Sequence, residues 1–241
     1  MKLLFSACLL VLATPLLAQT PSVSDIVNRA RATVGLDTAL DGLVTLNMTG
    51  SLEPIDSKMP AAALLIVARK PCSQRMEIRI DDMVETHILN GENGCIIRSN
   101  LQNSTSQMRP LTAAEQARVA FSTRQFFSFY RPDFKNGERI TYEGIEQRIG
   151  IRCHKLVYAY PDGLTTVRYF SVDEDKLIST ITENKVESVS VGVQNIGGIR
   201  FPEKIDYFED GRKLHSIVLR SIVVNKPLQE GIFDIPKGQK K

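Results

Sequence analysis

Histidine and cysteine, the side chains that most often bind metals or act as bases and nucleophiles, are scarce in this sequence of 241 residues. The three histidines, His87, His154 and His215, are far from one another in the chain, and each falls in a segment with strand character. An exposed or hydrogen-bonded histidine is the expected role in such a place. The sequence also lacks a nucleophile elbow, a zinc-protease motif and the glycine-rich loops that bind nucleotides. It therefore predicts no catalytic residue, no metal and no cofactor.

Carboxylates are plentiful, and folding could bring two of them together in one cleft. A secreted hydrolase that acts on envelope lipids or glycans therefore stays open as an alternative function. Such an enzyme would need clustered carboxylates, or a nucleophile paired with a histidine.

Four cysteines are present, and three of them, Cys72, Cys95 and Cys153, follow residue 18. An odd number permits at most one internal disulfide in an oxidising compartment. We expect most of these thiols to be small buried apolar groups. Cys72 and Cys95 form the first pair to test, although strands two apart in a sheet would hold their Cα atoms roughly 9 to 10 Å from each other, too far for a relaxed bridge.

The first eighteen residues have the layout of a cleaved export signal. A positive start at Lys2 is followed by an apolar run from Leu3 to Leu17, and the small residue Ala18 precedes Gln19. We therefore expect a signal peptide at residues 1–18 and a periplasmic protein. Without those residues the chain has 29 basic and 27 acidic side chains, because only Lys2 is lost from the 30 and 27 of the full sequence. This near-neutral balance argues against a nucleic-acid partner.

Hydrophobic periodicity predicts strands with two helical interruptions. An apolar stripe at helical spacing runs from Val23 to Val34, and Gly35 follows it. Alternation and turn signals then predict strands. Ala61–Ala68 is apolar on both faces, so both sides of that strand should be covered. The predicted strands are Val44–Leu52, Ala61–Ala68, Arg75–Ile80, Met83–Asn90, Cys95–Ile97, Ile140–Gly144, Arg152–Tyr160, Leu164–Val172, Leu177–Glu183, Val189–Val193, Ile199–Phe208 and Leu214–Val224.

The second helix is unusually aromatic. A capping box at Thr112–Glu115 opens it, and it extends to about Tyr130. Four phenylalanines fall within nine residues, which exceeds what one core-facing stripe requires. Two interpretations follow: a central core helix, or a mobile cover over an apolar cavity.

Together these patterns predict a mainly β fold, with one antiparallel-sheet domain at residues 19–241 and helices on one side. It should have eleven strands, or twelve if Val189–Val193 is counted. No linker or repeat divides the chain.

Four stretches of the sequence resemble the outer-membrane lipoprotein-sorting family, the periplasmic LolA/LolB-type carriers and their wider relatives. The helix at Ala30–Gly35 leads into Leu43–Gly50, and Arg69-Lys70-Pro71 leads into Arg75-Met76-Glu77. The central hairpins contribute Gly144, Gly150, Cys153–Val157 and Pro161–Gly163. The closing part, which is the most specific, contains Gly198–Pro202, Ile222–Asn225 and Phe233–Pro236.

The resemblance implies a half-closed antiparallel β-barrel of about eleven strands wrapped over helices. It also implies a non-enzymatic function: binding lipid or lipoprotein acyl chains and sorting them towards the outer membrane. Besides that cargo, envelope membrane proteins are expected partners, and the carrier is expected to be a monomer. The alternative on the same fold is a sensor or interaction module with a fully packed barrel.

The expected site residues follow from the resemblance together with the alternation of apolar and polar residues along the strands. The expected cavity wall is Val44, Leu46, Met48, Leu65, Val67, Met76, Ile78 and Val84. The expected lid is Phe121, Phe126, Phe127, Phe129 and Tyr130. Lys70 occupies the position where classical carriers have an arginine that fastens the lid, and a lysine makes a looser clasp because it lacks the planar fork. Tryptophan, which classical carriers use inside the cavity, is absent from the sequence.

Overall fold

The computed structural model of the protein describes residues 21–56 and 58–236, so the predicted signal peptide lies outside the described residues. The helices are α1 (Val23–Val34), α2 (Asp37–Asp41) and α3 (Ala113–Ser128). No helix in this part of the chain is long and apolar enough to cross a membrane. The strands are β1 (Thr45–Pro54), β2 (Ala62–Arg69), β3 (Ser73–Ile80), β4 (Met83–Asn90), β5 (Asn93–Asn100), β6 (Thr105–Pro110), β7 (Arg139–Arg148), β8 (Ile151–Ala159), β9 (Thr165–Ser171), β10 (Leu177–Thr182), β11 (Val186–Val191), β12 (Gln194–Ile196), β13 (Ile199–Phe201), β14 (Lys204–Glu209) and β15 (Arg212–Val224).

Helix α1 begins and ends where the sequence predicts. The Ser22 hydroxyl accepts a hydrogen bond from the Asp25 amide at 3.0 Å, which satisfies one of the unpaired donors of the first turn. Ile26, Val27 and Ala30 are buried along the predicted stripe. At the other end, the Gly35 amide donates to the carbonyl of Arg31.

Thirteen strands form one antiparallel sheet, and β12 and β13 form a separate hairpin. The order across the large sheet is β6-β5-β4-β3-β2-β1-β15-β14-β11-β10-β9-β8-β7. Strand β15 lies between β1 and β14, so the last strand joins the two halves of the chain. Strands β6 and β7 are the two ends of this order, and the sheet is open between them.

Contacts of α3 show that the sheet curves around the helix. Thr123 contacts Gln74 on β3, while Gln125, two residues later, contacts Arg168 on β9. Strands β3 and β9 are seven strand positions apart in the sheet order. In a flat sheet they would be roughly 34 Å apart. One turn of helix reaches both, so the sheet must wrap round α3, which confirms the predicted half-closed barrel with helices inside its concave face.

Several strand predictions need correction: the described residues form fifteen strands and not eleven or twelve, and the short strand β12 was not predicted. The predicted strand Ile199–Phe208 is divided into β13 and β14, because Pro202 has no amide hydrogen for a ladder. The region assigned to Val189–Val193 is β11, Val186–Val191. Strand β6 was not predicted, because it is a polar edge strand whose residues are all exposed and show no apolar alternation.

Strand β2 is covered on both faces, as predicted. Val67 and Ala68 are both fully buried although their side chains point to opposite sides. The concave side faces α3. On the other side the C-terminal segment packs across the sheet, with the buried Phe233 ring 4.9 Å from the Arg69 guanidinium.

Candidate functional site

Helix α3 lies on the apolar concave face between the two halves of the sheet. Phe127, which is 7% exposed, belongs to the same buried cluster as Leu46, Met48 and Ile66. Phe126 and Phe129 pack against that cluster. The helix is therefore the element that covers the predicted cavity wall.

The predicted lid residues divide between two apolar clusters. Phe126, Phe127 and Phe129 face the β1–β3 half, while Phe121 and Tyr130 pack against the cluster under α1. Phe121 makes an edge contact with Tyr160 at 4.7 Å between ring centroids, and Tyr130 does the same with Phe170 at 5.2 Å. Every predicted lid residue is therefore on α3 or in the two residues that follow it, and all of them point into the barrel.

Half of the predicted wall lies under this helix. Met48 pairs with Ile66, and Ile66 with Met76, so these side chains share one face of the sheet. Leu46 and Ile78 lie on the same face by the same register and belong to or pack against the same cluster.

The other predicted wall residues are corrected by the register. Leu65 and Val67 alternate with Leu64 and Ile66, so they point to the opposite face of β2. Val84 pairs with Arg79, which sets it opposite to the face of Ile78. Val44 precedes β1 and is 49% exposed. Because β2 is apolar on both faces, alternation alone did not show which of its faces is concave.

An open cavity of about 330 Å³ lies at the end of the β3–β4 pair beyond α3. Its volume is at the small end of the range for ligand pockets. Ile80 and Met83 are 42% and 50% exposed there. The lining residues are Ile78, Ile80, Met83, Val84, Glu85 and Arg98. Apolar surface thus continues from beneath α3 to an opening at the sheet end.

The C-terminal end of α3 is held by a group of charged residues that we call the clasp: Arg31, Asp37, Asp41 and Arg131. The Arg31 side chain, 2% exposed, donates from Nη1 to the carbonyls of Ser128 and Phe129 at 2.9 and 3.2 Å. Its Nη2 also lies 2.8 Å from carboxylate oxygens of Asp37 and Asp41. Arg131, just after the helix, pairs with the same two carboxylates.

The backbone inside the clasp is strained. Phe129 and Tyr130 both have positive φ, 43° and 71°. This left-handed region costs non-glycine residues roughly 1 to 2 kcal/mol each. The Tyr158 hydroxyl donates to the Tyr130 carbonyl at 3.1 Å. Together with Arg31 it therefore holds three successive carbonyls of the strained segment.

The neighbouring arginines lower the pKa of Asp41 in the clasp. Partial burial raises the pKa of Asp41, but hydrogen bonds and charges from Arg131 and Arg31 outweigh it and lower that pKa overall. The clasp carboxylate is therefore ionised at neutral pH.

Lys70, the predicted lid-fastening residue, lies beside the clasp. Its Nζ donates to the carbonyl of Asp41 at 3.0 Å and lies 5.6 Å from the centroid of the Phe127 ring. Burial lowers the pKa of Lys70, and the charge of Asp41 partly opposes this effect. The position is therefore next to the lid, but the bonds to the end of α3 come from Arg31.

Arg31 was missed in the sequence, although a signal for it exists. It lies four residues after Val27 and three before Val34, within the apolar stripe of α1. A charged residue on the buried face of a helix needs a partner, and α2, which supplies the partners, was not predicted.

A second buried arginine, Arg168, lies under the last turn of α3. It is 6% exposed, and its guanidinium carbon is 4.2 Å from the ring centroid of Tyr158 and 5.6 Å from that of Tyr130. Its Nη2 donates to Gln125 Oε1 on the helix and is 3.5 Å from the Tyr160 hydroxyl. We call this group of residues the arginine pocket.

The histidines and cysteines do not assemble a catalytic centre in the described residues. His87 bonds to Glu85, His154 lies 3.3 Å from the Tyr142 hydroxyl, and His215 stacks on Tyr207. Cys72, Cys95 and Cys153 are free thiols, and the latter two are buried, as expected for small apolar groups. In this part of the chain no group of three or more His, Cys, Asp or Glu residues could hold a metal ion.

Solved structures of low sequence identity share this fold. A DUF1329 family protein from Desulfovibrio piger is 10% identical with a TM-score of 0.58, covering 89% of this chain and 98% of its own. An outer membrane lipoprotein-sorting protein domain from Vibrio parahaemolyticus is 7% identical with a TM-score of 0.57, covering 87% and 95%. A LolA superfamily protein from Nitrosomonas europaea is 11% identical with a TM-score of 0.56, covering 90% and 99%.

These neighbours establish the class of fold. The chain has a LolA-like fold, a large open antiparallel sheet wrapped over helices, and the resemblance predicted from the sequence is confirmed at the level of the fold. No protein-family model matches the sequence, and no curated protein matches it.

Proposed function

We propose that the protein is a periplasmic carrier that binds the acyl chains of lipids or lipoproteins on the concave face of its sheet and sorts them towards the outer membrane. The carrier would be residues 19–241, exported by a signal peptide at residues 1–18. One observation carries the proposal: a phenylalanine-rich helix, α3, covers an apolar concave face and is fastened at its end by a charged clasp. The fold shared with a lipoprotein-sorting domain supports it.

The aromatic side chains of α3 give such a carrier a way to release its cargo. Burying an acyl chain is worth about 0.8 kcal/mol per CH₂, so a sixteen-carbon chain gains on the order of 12 kcal/mol. A carrier that gained all of this free energy would bind its cargo too tightly to release it. If cargo must first displace Phe126 and Phe127 from the apolar cluster, contacts with protein are exchanged for contacts with lipid and the net affinity falls.

The clasp holds the C-terminal end of α3, the end that would move as the lid opens. Phe129 and Tyr130 are strained, and strained backbone is often found at segments that switch between two arrangements. Releasing the carbonyls held by Arg31 and Tyr158 would relieve that strain as the helix lifts. Lys70 would assist by its contact with the Phe127 ring, in keeping with the lid-fastening role proposed for it.

The experiment is to purify the protein from the periplasm, extract and identify co-purifying lipids by native mass spectrometry, and titrate the delipidated protein with both a neutral and an anionic sixteen-carbon probe. We expect at least one acyl probe to bind. Binding of neither probe, together with no co-purifying lipid, contradicts the proposal.

A pair of phenylalanine variants tests the lid itself. Phe127→Ala removes an aromatic side chain that competes with cargo, whereas Phe233→Ala removes a buried ring from the opposite face of the sheet, where it packs by Arg69. Each substitution should lower the free energy of unfolding by about 3 to 5 kcal/mol. Only Phe127→Ala should strengthen acyl-chain binding, and equal effects of the two variants on binding would contradict a lid role for α3.

A further inference from the structure

Arg168 is a buried cation without an anionic partner among the described residues. Its hydrogen bonds go to the neutral groups Gln125 and Tyr160, no carboxylate of the described residues forms a salt bridge with it, and after burial the main influences on its pKa are Tyr158, Tyr160 and Tyr130. Buried charges are ordinarily paired, because an unpaired ion loses its hydration without compensation. Arg168 therefore departs from the usual pattern for an interior arginine.

The tyrosines around Arg168 do not supply the missing negative charge. Burial raises the pKa of Tyr130 to about 12, although the charge of Arg168 opposes the shift. Burial also raises the pKa of Tyr158. Both phenols are therefore neutral at physiological pH, and their rings stabilise the guanidinium through their faces.

The position of Arg168 ties it to the cargo face. Leu156 pairs with Arg168 in the sheet and lies in the apolar cluster under α1, so both side chains point to the concave side. Two of the groups that surround the guanidinium, Gln125 and Tyr130, belong to α3 or follow it directly. Lifting the helix would remove both of them and leave Nη2 of the guanidinium without its acceptor on α3.

We propose that Arg168 binds the anionic head group, a carboxylate or phosphate, of a lipid whose acyl chain replaces α3 on the concave face. This inference rests on the proposed carrier function and deepens it by naming the cargo class. The planar guanidinium matches the paired oxygens of a carboxylate or phosphate, and the Tyr158 and Tyr160 side chains on β8 and beyond it would remain beside it. The arginine pocket would thus select anionic lipids over neutral ones.

The test compares hexadecanoic acid with hexadecanol, which share the same chain and differ in head-group charge. The native protein should bind the acid about tenfold more tightly or better, as expected for charge-assisted hydrogen bonds. Arg168→Met should abolish this preference while its affinity for the alcohol stays within about twofold of the native value. Equal binding of acid and alcohol by the native protein, or an unchanged preference in the variant, would overturn the proposal.

A second variant leaves Arg168 in place. Gln125→Glu supplies an internal carboxylate at the atom that now accepts from the guanidinium. Its affinity for the acid should fall about tenfold and its affinity for the alcohol much less. A full acid preference in this variant would contradict the role of Arg168 even if Arg168→Met failed to fold.

Two further outcomes separate this proposal from related ones. If acetate or inorganic phosphate alone binds as tightly as the acid, the pocket is a small-anion site and the lipid assignment is overturned. If neither long-chain lipid binds the native protein, the carrier function fails and this inference fails with it. Binding of both lipids without preference removes only the inference.

Discussion

Two buried arginines contact the same helix and differ in what neutralises them. Arg31 reaches the carbonyls at the end of α3 and lies between the carboxylates of Asp37 and Asp41. Arg168 reaches Gln125 in the last turn of α3 and is surrounded by tyrosine rings. The first is a complete ion network, which suits a structural fastening. Arg168 has no carboxylate partner among the described residues, which suits a residue that binds an anionic ligand.

Among the charged residues, the largest expected effect is on the clasp. Arg31→Met should lower the free energy of unfolding by about 3 kcal/mol, because it removes a buried cation from two carboxylates and leaves the Phe129 carbonyl without its side-chain donor. The same substitution at Arg168 removes an uncompensated charge and should change stability by about 1 kcal/mol or less. Urea unfolding of both variants measures the difference, and equal losses would erase the contrast between the two arginines.

Supplying the missing anion should make the second site resemble the first. Gln125→Glu should raise the free energy of unfolding by about 1 kcal/mol, because an ionised acceptor strengthens the bond to Arg168. It should also slow the uptake of an acyl probe, since the last turn of α3 is then held more tightly. Gln102→Glu, an equal change of charge in an exposed turn, is the control and should do neither. Destabilisation by Gln125→Glu would indicate that the guanidinium needs no counter-ion.

A partial loosening of the clasp should affect kinetics more than stability. Arg131 is 43% exposed in its pairs with Asp37 and Asp41, so Arg131→Gln should cost roughly 0.5 kcal/mol. The rate of acyl-probe uptake should nevertheless rise about twofold, because that pair helps hold the segment that must move. Arg29→Gln is the control: the Arg29 side chain is 45% exposed, about as much as that of Arg131, and it pairs with Asp175 outside the clasp. Stopped-flow fluorescence should show no faster uptake in this control. An equal acceleration in both variants would contradict the role of the clasp in holding the lid.

Acid should weaken the clasp and leave the charge of Arg168 unchanged. The pKa of Asp41 is lowered below its ordinary value of 3.8 in the folded protein, so its ionised form stabilises the clasp above that pH. This contribution is lost as the pH falls through the lowered value. Uptake should therefore be insensitive to pH between 8 and 5 in a neutral-probe assay and accelerate only in stronger acid. In Asp41→Asn the acid-dependent acceleration should be weaker, while circular dichroism confirms that the protein stays folded; Arg168 does not titrate in this range.

The sequence predicted the positions of the helices and strands better than it predicted which face of a strand is concave. Helix α1 and the capping box of α3 were found because capping residues and apolar spacing act locally. The aromatic residues of α3 were correctly grouped on one segment for the same reason. The wall assignment was wrong for Leu65 and Val67, because a strand that is apolar on both sides carries no signal for which side is concave. The edge strand β6 was missed because it buries nothing.

The sequence by itself determined that this is a mainly β chain with an aromatic helix, since period and capping depend on neighbouring residues. Only the tertiary structure decided what that helix is fastened to. Arg31 and Arg168 are the same residue type, each within an apolar run or strand, and nothing in their neighbours distinguishes them. Asp37 and Asp41 on α2 were brought to Arg31 by the fold, and Tyr130, Tyr158 and Tyr160 were brought to Arg168. The carboxylates that neutralise Arg31 are only six and ten residues further along the chain, but the carbonyls that it holds are 97 and 98 residues away. The contacts of both arginines with α3 are therefore long-range, and the curvature of the sheet around the helix decided them.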